Sequence, residues 1–133
     1  MDGQARQRSR DLVRRAVRAA LGDEVGVVAD ASDARVRWWS PADPDWVHGP
    51  ESVDRALRGL LAGEPVDDAV DALVVSEDGT TAVVELGSRP VPGGVTTPVT
   101  LVIELAAGRI TEGRGYLDLP PDGGGADGAR SDR

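Results

Sequence analysis

Near the start of the chain, apolar residues recur at helical spacing. Leu12, Val13, Ala16, Val17, Ala20 and Leu21 fall on one side, and Arg14, Arg15 and Arg18 on the other. Ser9 or an earlier residue starts this predicted helix, and Gly22 ends or bends it. Val25 to Ala31 reads as a short second helix, with β-branched Val27 and Val28 working against it. Ala34 to Trp39 alternates as a strand, with Val36 and Trp38 on one face. The prolines of "SPADPDWVHGP" make the next stretch a loop. Pro50 then suits the first turn of a helix through Val53, Ala56, Leu57, Leu60 and Leu61, with Gly63 as its stop.

Beyond Asp67 the period changes to two. Ala72 to Ser76 and Thr81 to Leu86 are strands around the turn Glu77-Asp78-Gly79-Thr80. A looser turn, "RPVPGGV", follows. Val95, Thr97, Val99, Leu101, Ile103 and Leu105 then alternate with Thr96, Pro98, Thr100, Val102 and Glu104, as in a strand with one face on the core. Ala107-Gly108 turns the chain into a last strand, Arg109 to Asp118. Helices followed by a four-strand antiparallel meander define an α+β fold. The expected organisation is a flexible start (1–8), one domain (9–119) and a disordered tail (120–133), since "LPPDGGGADGARSDR" lacks apolar periodicity.

Composition narrows the partners. A chain of 133 residues, 40% hydrophobic and 29% charged, is one globular domain's worth. The net charge of −8 argues against a nucleic-acid binder, although residues 1–20 hold six Arg against two acids. That basic start is most simply the solvated face of the first helix. There is no cysteine, and no apolar run approaches the ~18 residues needed to span a bilayer. No membrane association is therefore expected, and the cytoplasm is the default compartment. With one His, no Cys and no calcium-spaced loop, neither metal nor cofactor is expected. "DGGGADG" lacks the strand–helix context of a phosphate loop, and no nucleophile elbow is present.

The order of elements, with "HGPESVDRAL" at a helix start and "AGRITEGRGYLD" as last strand, resembles the cone-shaped nuclear transport factor 2-like superfamily, its SnoaL-like branch most of all. The resemblance covers roughly residues 9–119. It implies a curved antiparallel sheet on N-terminal helices, and a homodimer through the outer sheet face around Thr100, Val102 and Glu104. It also implies a proton-transfer role, acid or base, for the Asp that ends the last-strand motif, which falls on Asp118. Such a carboxyl needs apolar walls to raise its pKa, and Trp38, Trp46 and Tyr116 are the candidates. The plainer alternative is that Asp118 caps the strand exit or faces water before Pro120.

Period two places Ile110, Glu112, Arg114, Tyr116 and Asp118 on one face, unless a bulge among Gly108, Gly113 and Gly115 changes the parity. His48 lies at the expected pocket rim, either as Asp118's partner or as an exposed loop residue. Only one of Trp38 and Trp39 can face inward, which leaves the other for a subunit contact. Glu85, Arg89 and Glu104 would line a pocket only if they pointed inward. The candidate catalytic set is thus Asp118, His48 and Tyr116, with Trp38, Trp46 and Arg114 binding a hydrophobic small molecule.

The motif also departs from the family. Leu119-Pro120-Pro121-Asp122 breaks off the cyclase pattern after the Asp. Arg114 and Asp118 are four apart where the epoxide hydrolase branch has Arg-x-Asp, and the first helix lacks the isomerase tyrosine. Two readings remain: a cofactor-independent cyclase, isomerase or dehydratase acting on a hydrophobic carbonyl compound, or a non-catalytic ligand-binding or dimerisation module. Convergence of Asp118, Tyr116 and His48 on one enclosed cavity distinguishes them.

Overall fold

A computed structural model describes residues 2–41, 43–61, 70–90 and 96–117. Helix α1 runs from Asp2 to Leu21, so it starts well before Ser9. Ser9 does not cap it. Its Oγ donates instead to the Gly79 carbonyl at 2.6 Å and pins the helix to a distant turn. Val13, Ala16, Val17, Ala20 and Leu21 form the buried stripe that the spacing predicts. The helix closes with Glu24 N–H on the Ala19 carbonyl and Asp23 N–H on that of Ala20. This 6→1 and 5→2 pair needs a left-handed residue, and Asp23 (φ 57°) supplies it rather than Gly22.

The short α2 (Val27–Asp30) and α3 (Pro50–Leu61) are joined through Asp54, whose side chain is only 3% exposed. Its Oδ2 accepts from the Gly26 and Ala29 amides at 2.8 and 3.2 Å, and its Oδ1 from Arg58 Nε at 2.6 Å. Arg58 also reaches Asp23 at 3.0 Å, and these two carboxylates raise its pKa above the usual guanidinium value.

The strands are β1 (Ser32–Ser40), β2 (Asp43–His48), β3 (Val70–Val75), β4 (Thr81–Pro90), β5 (Thr96–Ala106) and β6 (Arg109–Leu117). They form one curved sheet in the order β2-β1-β6-β5-β4-β3, all antiparallel except β1 beside β6. The meander β3–β6 is therefore as expected. Within the stretch read as a Pro-rich loop, however, Asp43–His48 is a strand. It lies at the sheet edge, the position that tolerates prolines lacking a donor. The helices cover the inner face, where Val36, Trp38, Val84, Leu86, Val99, Leu101 and Ile103 complete the core. Among the described residues, no helix is long and apolar enough to cross a membrane. Asp118, the turn at 91–95, Gly63 and the tail lie outside the described residues, as does the side chain of Arg89.

One irregularity decides which residues face outward. Leu105 pairs with Ile110, but Glu104 pairs with Glu112, which leaves Thr111 as an extra residue in β6. Parity shifts there. Ile110 is buried, and Gly113 and Gly115 take the inward positions after the bulge. Glu112, Arg114 and Tyr116 turn outward, so the single face uniting them with Ile110 does not form.

Candidate functional site

Trp38, expected to wall a pocket, is 2% exposed and belongs to the core. Its ring lies flat on β6, where only glycine leaves room. A Cβ on Gly113 would sit 2.7 Å from Trp38 Cε3, and one on Gly115 would sit 3.0 Å from Cζ2 and 3.2 Å from Leu60 Cδ2. The inner face between β1, β6 and α3 is thus filled by an indole. The spacing Gly113-x-Gly115 was the sequence signal for this cradle.

The other expected residues meet on the opposite, outer face. Arg37 pairs in register with His48 on one side and Glu112 on the other, and Trp39 with Arg114. Across β5 and β4 the rows continue through Glu104 to Thr81, through Val102 to Val83, and through Thr100 to Glu85. Glu85 and Glu104 accordingly lie on the outer face rather than inward.

The charges of this face form a connected ladder. Arg37 donates through Nε to Glu112 Oε1 at 3.0 Å, with Nη2 at 2.9 Å, while its guanidinium lies 4.0 Å over the Trp46 ring. Arg114 Nη2 reaches Glu104 Oε2 at 3.4 Å, and Thr81 Oγ1 donates to the other oxygen of Glu104 at 3.0 Å. The buried Nε of Arg114 makes no hydrogen bond and lies 3.4 Å from Glu112 Oε2 as an ion pair only. Two arginines balance two glutamates that the register sets side by side. Next to the ladder, the rings of Trp39 and Tyr116 lie 5.9 Å apart at 52°, and Tyr116 is 41% exposed.

Tyr116, His48, Arg114 and Trp46 therefore share a face, but it is an open sheet surface. Sequence reasoning had no reason to single out Arg37 and Glu112, because each is an ordinary exposed charge until β1 is known to pair with β6. A separate groove of about 620 Å³ lies between α1 and the two hairpin turns. It is lined by Arg8, Leu12, Arg15, Asp78 and Leu105 among others. Among the described residues, no group of three His, Asp or Glu is placed to hold a metal ion.

No family model matches the chain, and no curated protein matches it either. Solved structures do resemble it. A proposed SnoaL-like polyketide cyclase from Jannaschia sp. CCS1 is 22% identical with a TM-score of 0.65, over 85% of this chain and 87% of the other. A proposed ketosteroid isomerase from Kribbella flavida DSM 17836 is 16% identical with a TM-score of 0.67, over 87% and 82%. A nuclear transport factor 2-like protein of unknown function from Cytophaga hutchinsonii ATCC 33406 is 16% identical with a TM-score of 0.62, over 83% and 89%. The chain has the nuclear transport factor 2-like, cystatin-like fold. At these identities the likeness extends to the fold and not to an activity.

Proposed function

We propose that this chain is a non-catalytic association module that pairs with a second copy of itself through the outer sheet face. The observation that carries this reading is the bulge at Thr111. It sends Glu112, Arg114 and Tyr116 outward to join Arg37, Trp39 and Trp46, while Trp38 fills the space inside. The contacts on this face run Arg37, Glu112, Arg114, Glu104, so two copies of the face present both signs of charge to each other. Thr100, Val102 and the Trp39–Tyr116 pair supply the less polar centre that interfaces favour. Sedimentation should show a dimer at micromolar concentration, and Trp39→Ala with Tyr116→Ala should return it to monomer with the fold intact by circular dichroism. A wild-type chain that sediments only as monomer would end this reading.

The neighbouring proposed cyclase and isomerase support a second reading, a cofactor-independent SnoaL-like catalyst in the cytoplasm acting on a hydrophobic carbonyl compound through Asp118. Tyr116 and His48 lie on the open outer face, so this reading rests on Asp118. Its side-chain titration, followed by NMR, decides the matter. A clearly raised pKa supports a pocket acid, and an ordinary carboxylate value refutes one.

A further inference from the structure

We infer that Arg10 is a guard that keeps the open edge of β3 from pairing with β3 of a second copy. Among the described residues β3 is the terminal strand of the sheet, with β4 as its one neighbour. The Ser76 amide donates to the Thr81 carbonyl of β4 at 2.9 Å. Strand alternation therefore points the N–H and C=O of Val74 toward β4, and those of Leu73 and Val75 toward the free edge. An edge of this kind is a template for another strand.

The segment is also suited to such pairing. Val70-Asp71-Ala72-Leu73-Val74-Val75 carries one charge and no proline, and Val74 is 63% exposed. The strand has no lysine or proline next to Leu73, and its one bulge, at Asp71, lies nearer the start of the strand. The protection comes from α1. Arg10 Nη1 donates to the outward Leu73 carbonyl at 2.9 Å, occupying the acceptor that an incoming strand would use. Arg6, one turn earlier on the same side of α1, buries its Nε without a hydrogen-bond partner. Among the described residues, Arg10 is thus the side chain seen to take an outward acceptor of this edge. The association prevented here is open-ended strand addition, distinct from pairing through the outer face.

The test compares the full chain with Arg10→Leu, which keeps the apolar stem and removes the donors, and with Arg10→Lys, which keeps a donor. A labelled peptide of sequence VDALVVS serves as probe. Arg10→Leu should bind the peptide at least about tenfold more tightly than wild type does, and should form larger, thioflavin-positive species at concentrations where wild type does not. Arg10→Lys should resemble wild type, and adding Val74→Lys to Arg10→Leu should suppress the assembly. Should Arg10→Leu not fold, Arg10→Met, which also lacks a donor, takes its place in the same comparison. Peptide binding equal to wild type in the folded variant, or assembly untouched by Val74→Lys, overturns the inference.

Discussion

Gly113 and Gly115 leave bare the two inward positions of β6 that the Trp38 ring covers. Close packing gives the ring no second place to go, so a methyl group at either position must displace it. Gly113→Ala should destabilise the fold by roughly 1–3 kcal/mol, and Gly115→Ala by less, because its contacts are longer. Urea unfolding followed by tryptophan fluorescence measures both, and an unchanged midpoint for Gly113→Ala would exclude the packing described. Asp54 is the other residue on which much rests. Asp54→Ala removes the acceptor of two amides and of Arg58 from a buried position, and should cost roughly 3 kcal/mol in thermal or urea unfolding. Asp54→Asn keeps an acceptor and should lose less. Neither residue was legible as a site in the sequence. Asp54 looked like one more charge on an amphipathic helix, and the glycines suggested a bulge without showing what would lie on them.

At the level of elements, the two hairpin turns make separable predictions. In the β3–β4 turn, hydroxyls of Thr80 and Ser76 and the Thr80 amide all donate to Asp78, holding its pKa below the ordinary carboxylate value. A depressed folded-state pKa gives stability that is present above the unfolded value, near 4, and is lost as pH falls through the folded value. Wild type should therefore be more stable than Asp78→Ala by a margin that is constant above about pH 5 and shrinks as the carboxylate takes up its proton at lower pH. Thermal melts across pH check this, and a margin independent of pH would remove the assigned cause. In the β5–β6 turn, Ala107 (φ 52°) and Gly108 (φ 76°) are both left-handed, the geometry that favours Asn-Gly. Ala107→Asn should stabilise by up to about 1 kcal/mol in the same melts. The Ala107-Gly108 turn and the strands beside it were readable from alternation alone. Strand β2 was not, because the proline in it and those on either side signal a loop until the strand is known to be at an edge. The extra residue at Thr111 was not either, since period two carries no mark of a skipped pairing.

The whole molecule is joined at β6, which lies between the β1–β2 hairpin and the β3–β5 meander. Both sides need it, because Trp38 from β1 rests on its glycines and Ile103 from β5 pairs with Gly113. A chain ending at Gly108 should lose cooperative melting altogether rather than retain a smaller fold, and calorimetry of that truncation tests it. The cone and its helices were foreseeable because the long helical and alternating stretches are each locally consistent. The direction in which the candidate residues face was not, because it depends on pairings between residues far apart in sequence.

Strand β6 is also the last of the described elements to be made on the ribosome. Until it emerges, a nascent chain holds two part-sheets with matching free borders, β1 on one and β5 on the other. Neighbouring chains on one messenger could trade those borders in that interval. The β1–β6 seam thus makes the emergence of β6 the step at which this fold most depends on a chaperone or on being made slowly.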